Sequence, residues 1–337
     1  MAQTIQLRGD TAANWATVNP VLAQREMAIE TDTMLYKIGD GSTAWNDLAY
    51  GTLNLPSAVL AFVGQSSIPS APSSGNGNLF FKDLCGRMLL RMQGPTGLTT
   101  PVQPSLFQNF MAIISTNATT TVSTLGNSAT SVGTLSHPAA TEDYGYMTNF
   151  VSAGTALATA GTGFRDTLFM RGVTAGKANG FFFNARTLFP DASYDQTGAS
   201  TGSRICIGMT NQALATAVAT DTSTGHCILF MRCHTDTGRQ DSNWQLVTRD
   251  GTNVNVIDTG MPFSATKIFD AYLFCPPASS IVNWRIDNIT DGTTAEGTVS
   301  ANLPGVTTLL RGGFQVQSVD AIARNCRMQR VYCESDR

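Results

Sequence analysis

The sequence predicts an all-β chain that ends in a β-sandwich of jelly-roll type, and three observations carry that expectation. Only 13% of the 337 residues are charged while hydrophobic residues stay at 42%, so Thr, Ser, Asn and Gly fill the polar positions. That charged share is about half of what soluble globular chains usually carry. Apolar residues recurring with a helical period of 3.6 are missing. From about Phe164 onward, short β-rich runs instead recur at intervals of roughly ten residues, as sandwiches require.

The elements follow in order. Met1 to about Asn54 holds two Trp residues and most of the early charge. Alternation around Ile29 and over Leu35–Ile38 predicts two short strands. Gly39-Asp40-Gly41-Ser42 then supplies the positive φ that a tight hairpin turn needs, with Trp45 close behind. Thr11–Ala16 reads as one helical turn capped by Asp10 or Thr11. About fifty residues bury too little surface to be comfortable alone. The first Cys is Cys85, so no disulfide can staple the segment, and association with copies of itself is expected.

Residues 55–101 read as a linker and a β-hairpin. Ser66–Gly77 is rich in Ser, Pro and Gly, and the apolar runs Asn78–Lys82 and Arg87–Met92 flank Asp83-Leu84-Cys85-Gly86. A lone hairpin is marginal in water, so this one must pack on something. Residues 102–337 read as the sandwich. Leu106-Phe107, Phe110-Met111 and Ile113-Ile114 imply strands at its start. Ten further runs are expected to be strands: Phe181–Phe189, Arg204–Met209, His226–His234, Trp244–Arg249, Val254–Asp258, Ile268–Cys275, Ile281–Ile289, Thr294–Val299, Leu309–Val316 and Cys326–Cys333. Asp250-Gly251, Cys275-Pro276-Pro277 and Asp291-Gly292 punctuate them.

Composition also excludes classes of function. Lys plus Arg number 21 against 24 Asp plus Glu, a formal charge of −3, and no Lys or Arg lies between Arg91 and Arg165. Nucleic-acid binding is therefore not expected. Met1–Asp10 has no basic run leading into an apolar one, so no secretory signal is expected. The longest apolar stretch, within Leu55–Gly64, is broken by Pro56 and Ser57 and falls far short of the roughly 20 residues that span a bilayer. Seven Cys, an odd number without a C-x-x-C pair, point to reduced thiols made in a cytoplasm.

The words Ile5–Gly9, Thr11–Trp15, Asn19–Ala23, Glu30–Thr33 and Lys37–Leu48 together resemble the N-terminal module of phage tail fibres and of the phage major tropism determinant. Arg25-Glu26-Met27 departs from that family's usual Gly-Glu-Ile/Leu. The stretches Gly86–Leu98 and Pro101–Phe107, and a C-terminal body with Asn243–Leu246, Thr248–Thr252, Phe274–Pro277, Asn302–Pro304 and Arg330–Asp336, are similar to phage structural proteins and their lectin-like jelly rolls. The resemblance implies a virion protein assembled in a bacterial cytoplasm, with an N-terminal trimerisation module and partners that include other virion proteins. It further implies a tail fibre or tail-tip component that contacts a host-surface glycan or receptor. A head fibre or capsid-decorating protein is one alternative, and a capsule depolymerase is another.

No catalytic residue, cofactor or metal ligand is expected. G-x-S-x-G, H-E-x-x-H and the phosphate-loop motif are absent. His226, Cys227, Cys233 and His234 suggest zinc, but on a strand the two Cys share one face and the two His the other. Six residues at about 3.3 Å each would hold the sulfurs roughly 20 Å apart. Cys326 and Cys333, seven apart, are expected on opposite faces of their strand. Asp191 with Asp195, or Glu142 with Asp143, could serve a glycosidase pair, although any chain of this size offers such pairs. For sugar binding, Trp244 beside Asp241, Ser242 and Asn243 is a platform candidate. Its alternation with Leu246 and Thr248 favours the core instead. Tyr194, in the Gly- and Ser-rich loop 191–202, is the second candidate, because loops at a sandwich end carry recognition.

Overall fold

The computed structural model describes residues 7–51, 63–101, 110–115, 121–136, 147–172, 179–190, 194, 202–213, 222, 225–235 and 238–336. Leu106-Phe107, Glu142, Asp143, Asp191 and Asp195 lie outside them. The chain divides into two compact units, Met1–Phe62 and Val63–Arg337. The second unit begins ahead of the hairpin, so the hairpin belongs to the sandwich unit.

In the first unit β1 (Arg8–Asp10) pairs parallel with β2 (Met27–Glu30), which pairs antiparallel with β3 (Tyr36–Ile38). Helix α1 (Ala12–Val18) starts at Thr11, whose hydroxyl accepts from Asn14 N at 3.3 Å, and stops at Asn19 in the left-handed conformation. Among the described residues of this unit the buried apolar core is Trp15, Leu22, Ala28 and Trp45, with Leu48 packed against them. A stack of cations and rings supplements it. The Arg8 guanidinium lies 4.9 Å over Trp15, Trp15 stacks on Trp45 at 4.4 Å, and Lys37 Nζ sits 4.9 Å from Trp45 and 4.2 Å from Tyr50. Lys37 is buried, and its ammonium donates to Trp45 O at 2.7 Å. A buried ammonium is tolerable only when so compensated.

The second unit opens with a three-stranded sheet of β4 (Asn78–Leu84), β5 (Arg87–Gln93) and β6 (Thr99–Pro101). The linker-like stretch runs along it, with Ser70 O and Pro69 O accepting from Asn78 and Gln93 side chains. The connection is two residues, not four: Cys85 (φ 58) and Gly86 (φ 80) are both left-handed, as a type I′ turn demands. Then come β7 (Phe110–Ile114), β8 (Ser123–Leu125), β9 (Ala129–Val132), β10 (Thr134–Ser136), β11 (Thr148–Val151) and β12 (Thr159–Phe164). The ten predicted runs follow as β13 (Asn179–Leu188), β14 (Ser203–Thr210), β15 (His226–His234), β16 (Asn243–Asp250), β17 (Val254–Pro262), β18 (Ile268–Cys275), β19 (Val282–Asn288), β20 (Thr293–Val299), β21 (Arg311–Ser318) and β22 (Asn325–Asp336).

Two sheets form the sandwich. One runs β10-β11-β22-β13-β18-β19-β20, with β7 and β8 joined at β22; the other runs β17-β16-β15-β14-β21-β12-β9. Their inner faces meet in one apolar core that includes Phe150, Phe183, Ile207, Phe230, Leu246, Leu273 and Phe314. Inward positions alternate along each strand, which is the period-2 signal read from the sequence. One expectation fails here. Cys326 and Cys333 both lie in that core, because a bulge shifts the register between Arg186/Arg330 and Thr187/Met328 and leaves Gln329 extra. The extra residue flips the alternation, so an odd spacing puts both thiols on one face. All seven Cys are buried and unbridged.

Replacing Trp45 by Ala removes the ring on which Trp15 stacks and one of the rings beneath Lys37. We expect the first unit to lose about 3–5 kcal/mol, enough to unfold it. Denaturant titration of the full chain, followed by tryptophan fluorescence and far-UV dichroism, should show an early transition that leaves the β signal of the sandwich intact.

Candidate functional site

The outer face of the larger sheet presents two zones whose chemistry follows from the alternation. Where β13, β18 and β22 run side by side, Phe182, Tyr272, Phe274 and Tyr332 point outward as an aromatic patch. The hairpin tip covers it. Cys85 is buried against Phe182 and Tyr272, Arg87 pairs with Glu334, and the Arg87 guanidinium lies 4.8 Å over the Phe182 ring. Burial pushes the Cys85 thiol far above its ordinary range and raises Tyr332 to about 12. A β-carbon at a positive φ is unfavourable, and the aromatic seat for the thiol offsets it.

Beside the patch lies a polar lattice. The Asp270 carboxylate, almost wholly buried, accepts from Arg186 Nε at 2.6 Å and Nη2 at 2.5 Å, from Arg330 Nη2 at 3.2 Å and from Tyr272 OH at 3.1 Å. Its hydrogen bond and charge raise Arg186 above the usual guanidinium value. Asp287 stands directly opposite Asp270 in the β18–β19 register. It accepts from Arg285 Nε at 2.8 Å and Thr294 Oγ1 at 2.8 Å. A glycosidase pair needs one carboxyl kept protonated at working pH. Each of these carboxylates is spent on an arginine. Further along, β19, β20 and the hairpin tip bound a recess of about 320 Å³ that includes Asp83, Asn283, Arg285 and Glu296.

The residues predicted to bind a receptor lie elsewhere. Tyr194 is 1% exposed, donates to Asn325 O at 3.0 Å, and packs edge-on against Phe189 beneath the Arg324 guanidinium. The Tyr194 side chain is held inward by that backbone acceptor. Trp244 is fully buried between Phe263 and Phe269, each at 5.4 Å, as its alternation with Leu246 foretold. Neither ring can offer a face to a sugar. His226–His234 is one continuous strand, and Cys227 and Cys233 pack with Cys206, Leu229, Met231 and Val247 in a second apolar cluster.

The turn of the first unit is built differently from the hairpin turn expected. Gly41 has φ 81, whereas Gly39 is required by close approach: a β-carbon there would sit 2.1 Å from Ala23 O. Asp40 organises the loop, accepting from Ser42 N (2.8 Å), Thr43 N (2.7 Å) and Thr43 Oγ1 (2.6 Å). These bonds hold its carboxyl well below the ordinary value, the Thr43 hydroxyl contributing most. The loop delivers Trp45 to the stack.

Residues 5–43 match the major tropism determinant N-terminal domain. No curated protein matches the chain. Among solved structures, a protein of unknown function from Shewanella oneidensis MR-1 is 13% identical over 69% of this chain and 90% of that one, with a TM-score of 0.46. Lectin II from Ulex europaeus is 10% identical over 62% of this chain and 93% of its own, at 0.44. Arcelin-5, a lectin-like defence protein from Phaseolus vulgaris, is 7% identical over 68% and 99%, at 0.42.

Two outcomes follow. Cys85→Asp places a carboxylate in the aromatic seat, so the hairpin tip should release; trypsin should then cut after Arg87 and Arg91 while the wild type resists. Because the folded Asp40 is the stronger acid, its contribution is complete above the ordinary aspartate value of about 3.9 and fades as pH falls toward the folded one. Thermal melts of the first unit should hold steady from neutral pH to about 5 and weaken below about 4. Asp40→Ala should lower the neutral melting point and flatten that acid slope.

Proposed function

We propose that the chain is a non-enzymatic structural protein of a bacteriophage virion, a homotrimeric tail-fibre or tail-tip component that engages a glycan or receptor on the host surface. The observation that carries this reading is the match of residues 5–43 to the tropism determinant domain. What supports self-association is the surface of the first unit: Val18 is 66% exposed, Val21 52%, Met34 76% and Ile38 47%. A unit of this size that leaves such side chains in water gains by sharing them with identical copies. What supports a non-catalytic role is the pairing of Asp270 and Asp287 with arginines.

Mechanistically, the sandwich supplies a rigid face and the trimer supplies three of them. Weak sites held on one axis bind repeated surface groups together, and the effective concentration of the second and third raises avidity by about 10²–10⁴ without tighter individual contacts.

Light scattering on the purified full-length chain at micromolar concentration should give the mass of three copies, and labelled protein should adsorb saturably to host cells. Immunogold labelling of virions should mark the tail. A monomer that neither adsorbs to any host surface nor labels particles sinks the proposal.

A further inference from the structure

The recess between the hairpin tip and the β19–β20 edge holds more hydrogen-bonding capacity than the fold uses. Asp83 Oδ1 accepts from Gly86 N at 2.7 Å, which leaves Oδ2 without a partner among the described residues. Glu296 Oε2 accepts from Arg285 Nη1 at 3.2 Å, and its Oε1 is unspent. The Asn283 carboxamide lies against Gly86, where a β-carbon would come within 3.0 Å of it, and its side chain makes no hydrogen bond among the described residues. The hydroxyls of Ser66 and Thr298 also line the recess and have no hydrogen-bond partner among the described residues. One wall is a tight turn anchored by buried Cys85, and the other is a paired edge of the sheet.

The free groups are two carboxylate oxygens, one amide and two hydroxyls. The cation on the wall is already used. Each nitrogen of Arg285 donates inside the protein, to Asp287, Glu296 and Thr294. The neighbouring Lys82 ammonium donates to Ser66 O at 2.9 Å. A ligand that presents several hydroxyl donors satisfies this set, whereas an anion meets the carboxylates of Asp83 and Glu296 in a lining whose one cation, Arg285, is already paired with Asp287 and Glu296. The volume of about 320 Å³ lies at the low end for small-molecule sites, room for one ring rather than a chain. It is far larger than a single ion needs, and no group of three or more metal-ligating side chains occurs among the described residues.

We infer that this recess is a subsite for one neutral pyranose unit, with Asp83 and Glu296 accepting from ring hydroxyls and Asn283 and Thr298 completing the grip. The inference rests on the glycan-engaging reading above and deepens it by naming the sugar class and the place. Uronic and sialic acids are rejected by the same carboxylates.

The full-length chain should show saturation-transfer NMR signals with methyl glycosides of neutral hexoses and none with methyl glucuronide. Asp83→Asn and Glu296→Gln, which keep shape and the internal acceptor, should each weaken the neutral sugar at least about ten-fold. Thr298→Val, on an edge strand, provides an independent variant with a smaller loss expected. Unchanged melting points and near-UV dichroism establish that the variants fold. Neutral-sugar signals that survive both carboxylate variants overturn the inference, and so does binding that requires calcium and vanishes with EDTA. Host adsorption read in parallel separates the two claims. Adsorption untouched by the variants removes the recess and keeps the adhesin, whereas sugar binding without adsorption keeps the recess and removes the adhesin.

Discussion

Both sheets of the sandwich are closed by the same late stretch of chain, and everything on their surfaces depends on it. β21 lies between β14 and β12 in the smaller sheet, and β22 lies between β11 and β13 in the larger. Neither sheet is continuous without residues 311–336, so completing the interior requires the closure of long loops. That closure is entropically costly before it is rewarded. The reward is a single apolar core in which Phe150 meets Phe314 edge-on at 5.4 Å across the two sheets. Once β22 is seated, its outward residues Arg330, Tyr332 and Glu334 complete the polar lattice and the seat of the hairpin.

The outer face of the larger sheet is consequently an ordered surface, not a solvated remainder. Its aromatic side chains would be an exposed apolar patch if the hairpin did not cover them. The hairpin in turn needs the sheet, since two strands alone are marginal. The Cys85-Gly86 turn joins the two needs: a left-handed backbone presents a small apolar side chain at its apex. The recess is a by-product of this docking, left open because a turn meets a sheet edge without filling the corner.

The first unit meets the problem of small size by another route. It has few aliphatic residues to bury, and it layers Arg8, Trp15, Trp45, Lys37 and Tyr50 so that each ring shares its faces with a ring or a cation. Such stacking adds about 0.5–2 kcal/mol per contact beyond area burial. The side chains left outside, Val18 and Met34 among them, are those a second copy would cover, which links the unit's economy to the assembly proposed for it.

The sequence by itself determined the strands. Ten period-2 runs ahead of Gly, Pro and Asp turns became β13–β22, because alternation is a local property that burial of one face imposes directly. It also narrowed the helix cap to Asp10 or Thr11, favoured an inward Trp244 and carried the tropism-determinant words of residues 5–43. Tertiary structure alone decided the rest. The bulge at Gln329 reversed the facing of Cys326, since a register shift is set by the partner strand. Tyr194 turned inward because its acceptor, Asn325 O, comes from β22, 131 residues away. The recess draws Asp83 from a hairpin and Asn283 and Glu296 from two distant strands. No spacing along the chain encodes that meeting, because it follows from which sheet face was left apolar enough to need a cover.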